Sequence, residues 1–191
     1  MKNLISYVAK KIINILDKDN QCSEIELLQM FFGLQNILYN VVITASILLI
    51  SLITDNFIET LLIFTFFGIL RIIAGGYHCN SVEKCIITTS LVMIGGGKFI
   101  QSIHISQSIC ITICILVNIV FFSYIPKGTH NNPYSLEYSV KQHKRLKIVA
   151  ILLSIISILS NSILRGAIVY SMSIVAILLI PTIKHKFPII E

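Results

Sequence analysis

The hydrophobic and polar positions along the chain alternate on a long scale: apolar runs, mostly near the length of a membrane crossing, are separated by short polar interruptions. A bilayer core about 30 Å thick takes roughly 20 helical residues. Runs of suitable character fall at about 31–53, 57–74, 86–101, 107–125, 148–164 and 166–182. The third contains Gly95-Gly96-Gly97-Lys98 and reads either as a crossing helix or as a short, tilted or re-entrant element packed within protein. The expectation is therefore an all-α, polytopic membrane helix bundle of about six segments, four at the least, forming a single integral membrane domain over 1–191. Ahead of the first run, Leu4, Ile5, Val8, Ile12, Ile15 and Leu16 recur at helical spacing beside Lys10 and Lys11. That pattern predicts an amphipathic N-terminal helix within 1–24, lying in the membrane interface or packed on the bundle.

Composition strengthens this picture. Hydrophobic residues make up 55% of the chain against 13% charged, and the mean hydropathy of +0.85 argues against a soluble globular domain. If all six runs cross, 13 of the 15 Lys and Arg residues fall on one side, leaving only Lys98 and Arg165 on or near the other. The positive-inside rule then makes both termini, residues 71–85 and the basic loop 126–147 cytoplasmic. The net charge of +6 reflects topology, and dispersed basic residues without a stacking platform give no reason to expect nucleic-acid binding. No cleavable leader is expected, because Lys10 and Lys11 break the first apolar stretch. The five cysteines are an odd number, and three of them sit on the reducing side, so no disulfide framework is expected. Cys110 and Cys114 share one helix face and read as packing residues.

One stretch departs from the loop pattern. RIIAGGYHCNSVEKC, residues 71–85, crowds Arg71, Gly75, Gly76, His78, Cys79, Ser81 and Cys85 behind an apolar run. Gly75-Gly76 as a helix stop and Arg71 as a snorkelling anchor account for part of it; they leave His78 and Cys85 unexplained. A Cys thiol titrates near 8.5, and bringing it down by about 1.5 units takes roughly 2 kcal/mol, which an imidazole and local positive charge from Arg71 and Lys84 can supply. Seven residues of continuous helix would hold His78 and Cys85 about 10 Å apart. A bend at Asn80-Ser81 is therefore required, with Cys85 in the first turn of the next helix, where the dipole favours thiolate. Zinc is the rival reading, but the usual Cys-x2-Cys or His-x3-His spacing is missing and adjacent His and Cys side chains diverge; no metal or other cofactor is expected.

These residues carry a family resemblance. Arg71, Ala74, Gly76, His78, Ser81 and Cys85, as R-x2-A-x-G-x-H-x2-S-x3-C, resemble the motif of the accessory gene regulator protein B (AgrB) family of bacterial quorum-sensing membrane endopeptidases. QCSEIELLQMFFGLQNIL, with Gln29, Gly33 and Gln35, is similar to that family's N-terminal segment. YIPKGTHNNPYSLEYSVKQHKRLK, with Pro126, Thr129 and Pro133, is similar to its basic loop. Cys79 is an extra thiol, and Asn131-Asn132 stand where many relatives carry lysines. The resemblance implies a multi-pass protein of the bacterial cell membrane, in contact with its lipids and forming a homodimer. It also implies a cysteine endopeptidase that cuts an AgrD-like propeptide and helps close the product into a thiolactone or lactone autoinducing peptide. Cys85 would be the nucleophile and His78 its base; Arg71, Gly75, Gly76 and Ser81 are candidates for substrate or oxyanion contacts.

Two other classes compete with this expectation. A small transporter would mark its path with polar residues inside the membrane, for which Glu59, Lys98, His104 and Arg165 are the candidates. A non-catalytic membrane scaffold would need none.

Overall fold

The computed structural model describes residues 2–16, 23–75, 82–126 and 135–184, without the side chains of residues 2–4, 36, 82–85 and 181–184. Seven helices follow one another: α1 (Lys2–Leu16), α2 (Glu24–Ile53), α3 (Phe57–Ala74), α4 (Val82–Ser102), α5 (Gln107–Ser123), α6 (Leu136–Leu159) and α7 (Ser162–Lys184). No strand occurs among the described residues, and the expected all-α class is the class observed. By length and composition α2, α3 and Ser162–Ile180 of α7 can each cross a membrane, and α5 is a shorter apolar helix.

Helices α2 to α7 overlap the six apolar runs, but α4 and α6 are not among the helices long and apolar enough to cross, and further differences lie at the ends. Residues 136–147, expected as part of a basic loop, are helical: Ser135 caps the helix by accepting a hydrogen bond from the Tyr138 N–H at 3.3 Å, with Glu137 in the first turn. The next break falls at Ser160-Asn161, earlier than expected, because the Asn161 side chain accepts from the Leu164 N–H at 3.0 Å and starts α7. At the head of α2, Ser23 and Glu26 form a reciprocal capping box, with the Ser23 N–H donating to Glu26 Oε2 at 2.8 Å and the Glu26 N–H to Ser23 Oγ at 3.4 Å.

The chain divides into two compact units, Met1–Leu49 and Ile50–Glu191. In the first, α1 buries Ile5, Ala9 and Ile13 at four-residue spacing while Lys10 and Lys11 are exposed. Its apolar stripe is thus narrower than the sequence pattern implies, since Ile15 and Leu16 are exposed. Within this unit α2 exposes Leu28, Phe32, Ile37, Val41 and Leu49, a surface suited to lipid tails.

The second unit is an antiparallel bundle. Leu70 and Ala74 of α3, Val117 and Phe121 of α5, Leu146, Ala150 and Leu153 of α6, and Ile168, Met172 and Val175 of α7 form one packed core. The turns at 54–56, 103–106 and 160–161 gather at one end. There Gln101 Nε2 donates to the Asp55 carbonyl at 2.6 Å, Arg165 reaches the Ile105 carbonyl at 3.3 Å, and His104 Nδ1 meets Ser162 Oγ at 2.9 Å. Helix alternation puts the end of α3, the start of α4, the end of α5 and the start of α6 together at the opposite end.

The triple glycine lies within α4, which runs as a helix through it. A Cβ on Gly96 would stand 2.6 Å from Tyr170 Cζ, and one on Gly97 would stand 2.7 Å from Asn56 Nδ2. The bare backbone lets Tyr170 donate to the Val92 carbonyl at 2.9 Å and Asn56 to the Ile94 carbonyl at 2.8 Å. Small residues thus admit close approach of neighbouring helices, as they do at membrane helix contacts generally. Gly95 faces open space. Gly96→Ala and Gly97→Ala are each expected to lower stability by about 1–3 kcal/mol, while Gly95→Ala leaves it unchanged or raises it by up to about 1 kcal/mol; thermal unfolding of the detergent-solubilised protein reads the difference.

Candidate active site

Helix α3 stops where its sequence says it should. Gly75 follows Ala74 with φ 65 and ψ −133, a conformation open only to glycine, and its N–H donates to the Arg71 carbonyl at 2.9 Å. Arg71, in the last turn, turns its guanidinium back on the same residue: Nη1 donates to the Gly75 carbonyl at 2.6 Å. The pair closes the helix end, which explains both residue types before any ligand is considered.

Gly76, His78, Cys79 and Ser81 lie outside the described residues. Cys85 is the fourth residue of α4, within its first turns, and its side chain is likewise outside the description. Helix α3 ends at Ala74 and α4 starts at Val82, so 71–85 is not one continuous helix. The meeting of His78 and Cys85, and the bend proposed for it, fall on undescribed residues.

Beside this region the start of α6 carries polar side chains that the sequence reading missed. Ser139 and Gln142 are buried on the face that continues as Leu146, Ala150 and Leu153. Gln142 Nε2 donates to the Tyr138 hydroxyl at 2.7 Å, while its Oε1 is buried without a partner, as is Nδ1 of the neighbouring His143. The His143 imidazole bonds to the backbone of Tyr124, just past α5. Burial, and then the positive charge of Lys147 one turn on, hold its pKa below the usual histidine value. Lys141, Lys144 and Arg145 point outward and are exposed. The missed signal was spacing: Ser139, Gln142 and Leu146 recur at i, i+3 and i+7, the mark of one helix face.

Of the residues considered for a transport path, Arg165, His104 and Lys98 make other contacts. Arg165 donates to the carbonyls of Ser157, Ser160 and Ile105 at 3.3, 2.9 and 3.3 Å, capping the end of α6. His104 holds Ser162, and Lys98 approaches Gln101 Oε1 at 3.4 Å. Glu59 is buried near the start of α3. Cys110 and Cys114 are free, buried thiols, each 3.5 Å from Ser157 Oγ, packed with Val169. Among the described residues no three His, Cys, Asp or Glu side chains converge in a way that could hold a metal.

Fold and composition define a helical, polytopic membrane protein. Residues 2–183 match the family model of Accessory gene regulator B, and the chain belongs to that family. It is 24% identical over 188 residues to the "Accessory gene regulator protein B" of Staphylococcus saprophyticus, covering 96% of this chain and 98% of the relative. It is 26% identical over 156 residues to a "Putative AgrB-like protein" of Clostridium acetobutylicum, covering 82% and 71%. "Protein FsrB" of Enterococcus faecalis is 24% identical over 189 residues, covering 95% and 75%. No solved structure matches the chain.

Two outcomes follow from this geometry. Gly75→Ala forces a positive φ on a side-chain-bearing residue and is expected to cost about 1–3 kcal/mol, read as a lower unfolding temperature. Because the folded pKa of His143 is depressed, its contribution to stability is complete above the unfolded value of about 6.5 and is lost as pH falls through the folded value. The unfolding temperature of the native chain should therefore drop more between pH 7.5 and 5.5 than that of His143→Gln.

Proposed function

We propose that this protein is a membrane cysteine endopeptidase that cleaves a small AgrD-like propeptide and assists its cyclisation into a thiolactone or lactone signal for quorum sensing. The observation that carries the reading is the coincidence of family membership over residues 2–183 with the R-x2-A-x-G-x-H-x2-S-x3-C motif at 71–85. Cys85 enters the reaction as the thiolate, favoured by its position near the start of α4, where the helix dipole is positive. It attacks the carbonyl carbon of the scissile bond. The carbon–nitrogen bond breaks, the leaving amine takes a proton from the His78 imidazolium, and the acyl group stays on Cys85 as a thioester.

Exchange of that thioester with an internal thiol of the substrate, whose proton passes to the now neutral His78, closes the ring and returns Cys85 as a thiolate. An internal hydroxyl closes a lactone instead, passing its proton to His78. Amide to thioester is uphill, so a water-poor site favours internal capture over hydrolysis. Arg71, Gly76 and Ser81 are proposed to contact substrate or oxyanion; Gly75 also serves the helix stop. The orientation proposed from the 13 basic residues on one side puts the site and both termini in the cytoplasm, with membrane lipid around the exposed apolar faces and a homodimer as the assembly.

The test is co-expression with a candidate propeptide encoded beside the gene, with products followed by gel and mass spectrometry. Cys85→Ala and His78→Ala should each reduce cleavage by at least about 10³-fold with insertion intact, and Cys79→Ala should leave it within a few-fold. Cleavage surviving in an inserted Cys85→Ala chain rules the mechanism out.

A further inference from the structure

A buried side-chain carbonyl with no donor is a liability in a bundle unless something brings the donor. Gln142 is only 6% exposed, and its Oε1 is such an atom. Its Nε2 is committed to the Tyr138 hydroxyl at 2.7 Å, which fixes the direction in which the amide presents its oxygen. His143, the next residue, has a second buried acceptor, Nδ1, equally without a donor. Thr60 Oγ1 and Asn118 Oδ1 are also unpaired, but Thr60 lies near the start of α3, at the other end of the bundle, and Asn118 in the apolar stretch of α5. Gln142 and His143 stand instead at the rim. Leu146, one turn further along the same face, shares a packed cluster with Ala74, the last residue of α3, and with Tyr124, just past α5. Gln142 therefore lies about 6 Å nearer the end of the bundle, the end where α4, with Cys85, begins.

The chemistry of the two faces of α6 differs. Lys141, Lys144 and Arg145 on the outer face attract anions. The inner face offers neutral acceptors, which match N–H donors and reject a carboxylate. Resting on the peptidase reading above, we infer that Gln142 is a substrate-positioning residue: its Oε1 accepts a hydrogen bond from a backbone N–H of the propeptide near the scissile bond, with His143 Nδ1 as a second acceptor on the same strand. The class of ligand is an extended peptide backbone. Loss of the contact weakens substrate binding far more than it slows chemistry.

The test uses the full chain in detergent and the propeptide that the native protein cleaves, synthesised with one amide at a time replaced by an ester, so that single N–H donors become oxygen. Gln142→Met keeps the volume and removes the acceptor. It should raise KM at least about 10-fold, equivalent to about 1.4 kcal/mol, with kcat within about 3-fold and an unfolding temperature equal to or above that of the native chain. One ester near the cut should cost the native protein a similar factor and Gln142→Met nothing. A native KM in Gln142→Met, or ester penalties identical in the two proteins, overturns the inference. Should Gln142→Met fail to insert, Tyr138→Phe on an exposed ring takes its place: releasing the amide should shrink the position-specific ester penalty at least about threefold, and an unchanged penalty counts against the idea. If the native chain cleaves no propeptide, the peptidase reading itself fails; if cleavage is Cys85-dependent and only the Gln142 effects are missing, this inference alone falls.

Discussion

Where α3 and α4 meet, Asn56 is fully buried and sends Nδ2 to the Ile94 carbonyl, a bond that exists because Gly97 has no side chain to keep the two helices apart. In a hydrocarbon surround there is no water to satisfy a stray amide, so a polar side chain in such a contact must find its partner within the protein. Asn56 also accepts from Thr54 Oγ1 at 2.7 Å, and Gln101 reaches the Asp55 carbonyl beside it. This knot sets the spacing of α3 and α4 at one end of the bundle. Because helices are stiff, it also constrains where Gly75 leaves α3 and where Val82 begins α4.

A second constraint holds the other half of the bundle. Arg165 donates to three carbonyls, two of them at the end of α6, and Ser154 on α6 accepts from Asn118 Nδ2 on α5 at 2.8 Å. These contacts fix α5, α6 and α7 relative to one another, and with them the polar start of α6. Arg165, first read as a possible mark of a transport path, is the group that satisfies the carbonyls at the end of α6.

The apolar runs were legible because a lipid-facing helix needs no polar side, so its signature survives whichever way it is turned. The start of α6 was not legible on that criterion. Its first turns carry Lys141, Lys144 and Arg145 outside and Ser139 and Gln142 inside, and a polar residue facing inward resembles one facing water. Only the Ser135 cap and the four-residue continuity into Leu146 distinguish the helix from a loop. The Gly95-Gly96-Gly97 run was ambiguous for the opposite reason: glycine weakens an isolated helix yet allows helices in a bundle to approach, and spacing alone cannot say which effect wins. At the site, Arg71 and Gly75 were legible as a helix stop, whereas Gln142 and His143 were hidden among charges.

Two demands meet at the end of the bundle where α3 stops and α4 starts. A helix terminus supplies the positive field that a nucleophilic thiol requires, but the same terminus has amides that water will seek. The neutral acceptors at the start of α6 bear on the first of these. Gln142 and His143 add no negative charge that would oppose a thiolate, and burial, with the charge of Lys147, holds the His143 pKa below the usual histidine value. Basic groups turned outward add positive potential without placing competing donors inside. On the proposed chemistry the arrangement also discriminates between outcomes: a substrate held by its backbone presents its internal nucleophile to the thioester repeatedly, whereas a water molecule must enter unassisted. Gln142 Oε1 and His143 Nδ1 are buried without a donor at a cost in local stability, and on the proposed contact a bound peptide supplies the missing protons.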